Sequence, residues 1–213
     1  PHLTSYETFN HLLKIIAKVG DSHTSIDYGF LYNDNKMLPF RLYWFKDGMR
    51  ITQTRISSTN LLGHELFSIN GYSIPQIVDS LSTLIAIDNE STVKIIIPKI
   101  IGFVPHLEYF GFSSTDSITI TTIDLHGNTI GTVFYKRSLK KEKAVRYKPD
   151  SMAYCWSNRN HFFTQTYFEH DSILYIQYNR CWSKELERVF GSRKRAKPYP
   201  SFKKFQKRIF SGK

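Results

Sequence analysis

The sequence predicts an α+β protein, and three observations carry that expectation. Apolar residues recur at helical spacing near both ends of the chain and around residue 80. Between these stretches lie segments that alternate apolar and polar residues and are joined by turn-forming pairs. The order of helix, β-rich middle, strand and helix, with no internal repeat, implies at least two modules within 213 residues. Apolar residues make up 41% and charged residues 22%, which excludes a disordered, collagen-like or coiled-coil chain.

Residues 4–18 read as a helix: Phe9, Leu12, Leu13, Ile16 and Ala17 form one stripe, and Gly20 supplies the stop. Asp21-Ser22-His23-Thr24-Ser25 leads into an alternating, β-like segment ending near Leu31, and Asn33-Asp34-Asn35 forms a turn cluster. Over residues 38–54 the pattern is strand, turn, strand. Phe40, Leu42 and Trp44 alternate, Lys46-Asp47-Gly48 turns the chain, and Met49, Ile51 and Gln53 resume. Leu66-Phe67-Ser68-Ile69 is a short strand ending at the turn signal Asn70-Gly71. A second helix stripe, Ile74, Ile77, Val78, Leu81 and Ile85, opens with Ser73 as N-cap and Pro75 just inside. Residues 118–134 form the clearest hairpin, and residues 136–148, basic and weakly apolar, are the expected linker. Beyond them residues 173–178 read as a strand, and residues 184–190 and 201–210 as helices. The longest apolar runs, at residues 95–97 and 173–176, are strand-sized, so no membrane span is expected.

The net charge of +11 is concentrated at one end. Residues 180–213 hold 12 basic and 2 acidic side chains, peaking at Arg193-Lys194-Arg195-Ala196-Lys197, while the rest of the chain is nearly balanced. Such a tail can hold phosphates without any sequence code. The spacing of Phe202, Phe205 and Ile209 against Lys203, Lys204, Lys207 and Arg208 favours an amphipathic helix instead, so no specific nucleic acid is expected as partner. Similarly, the aromatic-rich stretch around Tyr154, Trp156 and Phe162 reads as packing before it reads as a base-stacking surface. Cys155 and Cys181 are too few for a disulfide framework and lack zinc spacing. His64 and Glu65, His106 and Glu108, and Glu169 and His170 lie close in sequence without forming a metal motif. No phosphate-binding glycine loop is present, and neither metal nor cofactor is expected.

Three segments, in one order, carry a resemblance. Val19-Gly20-Asp21-Ser22-His23-Thr24 is similar to the D-x-H-T element that follows the first helix in S41 serine peptidases, the family of the C-terminal processing and tricorn-type proteases. Leu62-Gly63-His64-Glu65-Leu66-Phe67-Ser68-Ile69-Asn70-Gly71-Tyr72-Ser73-Ile74 resembles the core of the PDZ-like domain that those enzymes carry next. Leu174-Tyr175-Ile176-Gln177-Tyr178-Asn179 is similar to the strand that opens their catalytic core. The resemblance implies three parts: an N-terminal helix and His-bearing segment over 1–37, a PDZ-like domain over 38–137, and a linker with the start of an α/β core over 138–213. The glycine-rich segment that bears the family's nucleophilic serine has no counterpart, and no Gly-Gly pair occurs. The expectation is therefore a fragment of a bacterial peptidase, opening on Pro1, truncated before its nucleophile and inactive alone. Its partner would be a peptide or protein substrate, and its location the cell envelope or the cell exterior.

A serine hydroxyl is a weak nucleophile at neutral pH and needs a base within hydrogen-bond reach. The resemblance offers His23 as that base, with Ser22 directly before it, as in tricorn-type members; other branches use a lysine further along. Capping of the first helix by Asp21, Ser22 and Thr24 is the plain structural alternative. Acyl transfer also needs N–H donors aimed at the developing oxyanion. By resemblance one would come from the loop after residue 178, near Arg180, Cys181 or Trp182. A thiol nucleophile at Cys181 has no histidine assigned to it, and an inert cysteine is the commoner state. PDZ domains hold a peptide by strand addition and a terminal carboxylate on backbone N–H groups. Residues 45–49 stand where that carboxylate loop belongs and carry one glycine only, which argues against terminal-carboxylate recognition.

Overall fold

The first helix, α1 (Ser5–Ala17), begins where a capping box satisfies its free amides. The Glu7 N–H donates to Thr4 Oγ1 at 3.2 Å and the Thr4 N–H donates to Glu7 Oε2 at 2.7 Å. Gly20, at φ +70°, turns the chain away after it. Phe9 and Leu13 of its stripe are buried, whereas Leu12 is exposed. The structure, a computed structural model, describes residues 2–26, 34–140, 142–190 and 199–211. Residues 27–31 of the expected β-like segment, Asn33 of the expected turn and the basic run at residues 193–197 lie outside the described residues, while Asp34 and Asn35 of that turn open a single 3-10 turn, Asp34–Lys36. Contacts divide the chain into two units, Pro1–Lys148 and Pro149–Lys213.

The first unit is built on an antiparallel sheet. Its strands are β1 (Phe40–Phe45), β2 (Gly48–Arg55), β3 (Glu65–Ile69), β4 (Tyr72–Ser73), β5 (Ser117–Ile123), β6 (Thr129–Tyr135) and β7 (Ala144–Arg146). The main order is β1-β2-β3-β5-β6, with β4 pairing β3 and β7 pairing β2. Phe45 faces Gly48 across a two-residue turn, so the 45–49 segment is a tight hairpin. Gly48 suits that turn because φ +142° is a conformation L side chains rarely adopt, and a Cβ would also push the Glu65 carboxylate aside. Asn70 and Gly71 both adopt positive φ, as the Asn-Gly turn demands. The Asn70 side chain donates to Phe112 O at 2.8 Å and accepts from Thr119 N at 2.7 Å, pinning that turn to β5.

Three helices cross between β4 and β5. α2 (Ile74–Ser82) starts on a second capping box, Ser73 with Gln76, and carries Pro75 in its first turn. α3 (Glu90–Ile100) carries the Ile run at residues 95–97, whose length alone the sequence reading used. The Asn89 side chain caps Thr92 N at 3.2 Å, and Ile97 and Ile100 turn inward while Ile95 is exposed, a helical rather than a two-residue period. α4 (Val104–Tyr109) follows a short bridge between Met37 and Phe103. Ile51, Ile69 and Ile120 of the sheet and Ile77, Ile97 and Leu107 of α2–α4 are all fully buried in one core. Phe9 and Leu13 belong to that core, so α1 and the sheet share one unit with no division near residue 37. The expected linker at 136–148 is corrected as well: β7 pairs with residues 53–55 of β2, and the division falls after Lys148.

The second unit holds α5 (Tyr154–Ser157), β8 (Phe163–Phe168), β9 (Ile173–Tyr178), α6 (Lys184–Phe190) and α7 (Phe202–Ser211). β8 and β9 form an antiparallel hairpin with Phe163 opposite Tyr178. α7 lies on one face, where Phe202 and Phe205 stand 5.3 and 5.1 Å from the Phe163 ring. α5 serves the other face, with Tyr154 at 5.3 Å from Tyr175 and Cys155 O accepting from Gln177 Nε2 at 2.6 Å. The molecule is thus a mixed α+β protein. Among the described residues no helix is long and apolar enough to cross a membrane.

Candidate functional site

The loop after α1 is organised by two carboxylates. Asp21 Oδ1 accepts the backbone N–H of His23 at 3.0 Å and lies 3.2 Å from His23 Nδ1. These bonds, the backbone one foremost, hold the Asp21 carboxyl below its usual range. Ser22 points elsewhere: its Oγ donates to Asp88 Oδ2 at 2.7 Å, across 66 residues of sequence. Asp88 Oδ1 also accepts from Thr92 Oγ1 at 2.5 Å, and Thr92 followed by Ser22 keeps the Asp88 carboxyl ionised below the ordinary range. The loop is therefore tied to the start of α3.

The His23 side chain is 91% exposed, and its ring makes no other hydrogen bond among the described residues. With Nδ1–H donating to Asp21, the lone pair sits on Nε2, facing solvent. That is the arrangement of a base whose ring is oriented by a carboxylate. Ser22 and His23 thus diverge, and the Ser22 proton is directed to Asp88 rather than to the imidazole.

Behind the loop a crevice is lined by Leu13, Ser22, Thr24, Leu84, Ile100 and His106. His106 on α4 is 2% exposed, with Nδ1 2.7 Å from Asn10 Oδ1 and its ring beside Phe9 and Phe103. Burial pushes its pKa down to about 4, so it is neutral at physiological pH. Sequence reading noted His106 only for its nearness to Glu108; nothing in the local pattern marks it as an interior histidine bonded to Asn10. Nor does spacing reveal Asp88 as the partner of Ser22.

Cys181 and Trp182 belong to the second unit, in the turn between β9 and α6. The Arg180 guanidinium lies over the Phe162 ring at 4.9 Å, and Trp182 Nε1 donates to Glu187 Oε2 at 2.8 Å, fixing the entry to α6. Cys181 is exposed between them, a free thiol like Cys155. Ser22 with His23, and Cys181 with Trp182, are thus placed in different units, each described within its own. Among the described residues no three His, Cys, Asp or Glu side chains are gathered to hold a metal ion. In comparisons with known proteins, no family model, no curated protein and no solved structure matches the chain.

Proposed function

We propose that this chain is the N-terminal and PDZ-like portion of an S41-like serine peptidase that cleaves peptide bonds by acyl transfer. The observation that carries the reading is the Asp21–His23 pair, an exposed imidazole with one nitrogen held by a carboxylate and the other open. In this reading a serine beyond Lys213 attacks the scissile carbonyl, His23 Nε2 takes its proton, and Asp21 stabilises the imidazolium that forms. Ser22, bonded to Asp88, holds the loop in place. Substrate is presented by strand addition to an open sheet edge rather than by its terminal carboxylate, since residues 45–49 close as a hairpin. In this reading the chain alone lacks the nucleophilic serine and is inactive, and the parent works in the cell envelope or outside the cell.

The test is labelling of the parent protein, extending past Lys213, by a serine-directed fluorophosphonate, with and without His23→Ala. Labelling that depends on His23 is the expected result. Labelling that survives the substitution moves the base to a lysine elsewhere and overturns the role given to His23. A second reading, a non-catalytic peptide-binding module, is favoured by β6, a seven-residue strand at one edge of the sheet with no outer strand paired to it among the described residues. A folded parent protein that resists labelling yet binds extended peptides would establish it.

A further inference from the structure

The second unit carries a charge arrangement that its own fold does not balance. Residues 180–213 contain only two acidic side chains, Glu185 and Glu187. Both are engaged locally. Glu185 caps α7 by accepting from Ser201 Oγ and from Phe202 N, and Glu187 accepts from Trp182. Lys203, Lys204, Lys207 and Arg208 are exposed, and no carboxylate among the described residues lies within ion-pair distance of them. Their placement opposes helix formation. Lys203 with Lys207 and Lys204 with Arg208 are like-charge neighbours one turn apart, and two of the four cations sit at the positive end of the helix dipole. Phe202 and Phe205 face the hairpin, so the cationic side faces outward.

The same side is also apolar. Among the described residues, the ring contacts of α7 with the hairpin face lie at its Phe163–Tyr178 end. Strand alternation puts Leu174, Ile176 and, across the ladder, Tyr167 on that face further along, and each remains about half exposed. A cationic helix beside uncovered aliphatic side chains is the composition of a surface that lies at a lipid headgroup boundary. A nucleic acid would instead call for a run of flat aromatic platforms, whereas Leu174 and Ile176 interrupt Tyr167 and Tyr178 on this face with aliphatic side chains.

We propose that this face of the second unit, Lys203, Lys204, Lys207 and Arg208 with Leu174 and Ile176, docks on an anionic phospholipid bilayer. The proposal is independent of the peptidase reading, because it needs neither His23 nor a nucleophile. The test is flotation of the 213-residue chain with vesicles of phosphatidylcholine alone or mixed with phosphatidylglycerol. Binding is expected only to the mixed vesicles and is expected to weaken as salt rises. The K203Q/K204Q/K207Q variant should lower the partition coefficient about 100-fold, at roughly 1 kcal/mol for each cation near the surface. The L174S/I176S variant should lower it too, with the circular dichroism spectrum unchanged, since both residues are exposed. Absence of binding to mixed vesicles, or binding indifferent to the lysine substitutions, overturns the proposal. Lysine-dependent retention on a single-stranded oligonucleotide without vesicle binding also overturns it, in favour of a nucleic-acid surface.

Discussion

Acidifying the protein from pH 7 to pH 5 is expected to cost it about 2 kcal/mol of folding stability through one side chain, His106. In the folded state burial lowers the His106 pKa from 6.5 to about 4, among the rings of Phe9 and Phe103 and beside Asn10. The unfolded chain therefore takes up a proton below pH 6.5, while the folded chain does not until near pH 4. Stability from this group is complete above 6.5, falls by about 1.4 kcal/mol for each pH unit below it, and has lost about 3 kcal/mol once pH drops through 4. Urea unfolding followed by circular dichroism at pH 7, 6 and 5 measures the slope. The informative comparison is with a His106→Leu/Asn10→Leu variant. Replacing both partners leaves no polar atom of the pair orphaned. The wild type should lose about 2 kcal/mol more than the variant between pH 7 and pH 5. Parallel losses would refute the account of His106 as a neutral interior base.

Ile97→Ala should cost about 2–5 kcal/mol, because Ile97 is fully buried, whereas Ile95→Ala should stay within about 0.5 kcal/mol. On a strand the two would share a face and behave alike, so urea midpoints for the pair test the helical assignment of α3 directly. Ser73→Ala removes the cap of α2 and should cost about 1 kcal/mol in a thermal melt, with Ser73→Gly closer to the wild type. In the labelled parent protein, Asp21→Asn should slow the fluorophosphonate reaction by roughly 100-fold or more while leaving the melting temperature nearly unchanged. Equal rates for the two forms would remove Asp21 from the proton-transfer unit.

Where one strong local rule governed a segment, the sequence was readable. Ser73 with Pro75, Asn70-Gly71, Gly20 and the alternating residues around 118–134 each gave an element close to its observed limits, because capping and turn chemistry act within four residues. Residues 95–97 received no element from the sequence, because an Ile run suits a strand and a buried helix face equally. Asn89 resolves it by capping Thr92, and Ile97 and Ile100 turn inward on one side. β7 was invisible for a different reason: Ala144, Val145 and Arg146 carry almost no pattern of their own, and their strand exists only because β2 offers them an edge. The same limit holds in the site. Asp21 and His23 are two residues apart and could be read together, whereas Ser22 with Asp88 and Asn10 with His106 are contacts made by the fold alone.

That distinction separates what the two candidate residues of the loop can be asked to do. The loop is held by Gly20 at its entry and by the Ser22–Asp88 bond, neither of which involves the imidazole. An exposed Asp–His contact adds little to stability. His23→Ala therefore leaves the loop anchored, and a loss of reactivity in that variant reads as a loss of chemistry at Nε2. Ser22→Ala removes the anchor instead, so the same loss there reads as a displaced loop. An imidazole that does not hold up its own loop, beside a serine that does, makes the two substitutions separable in a way the Ser22-His23 dipeptide alone does not suggest.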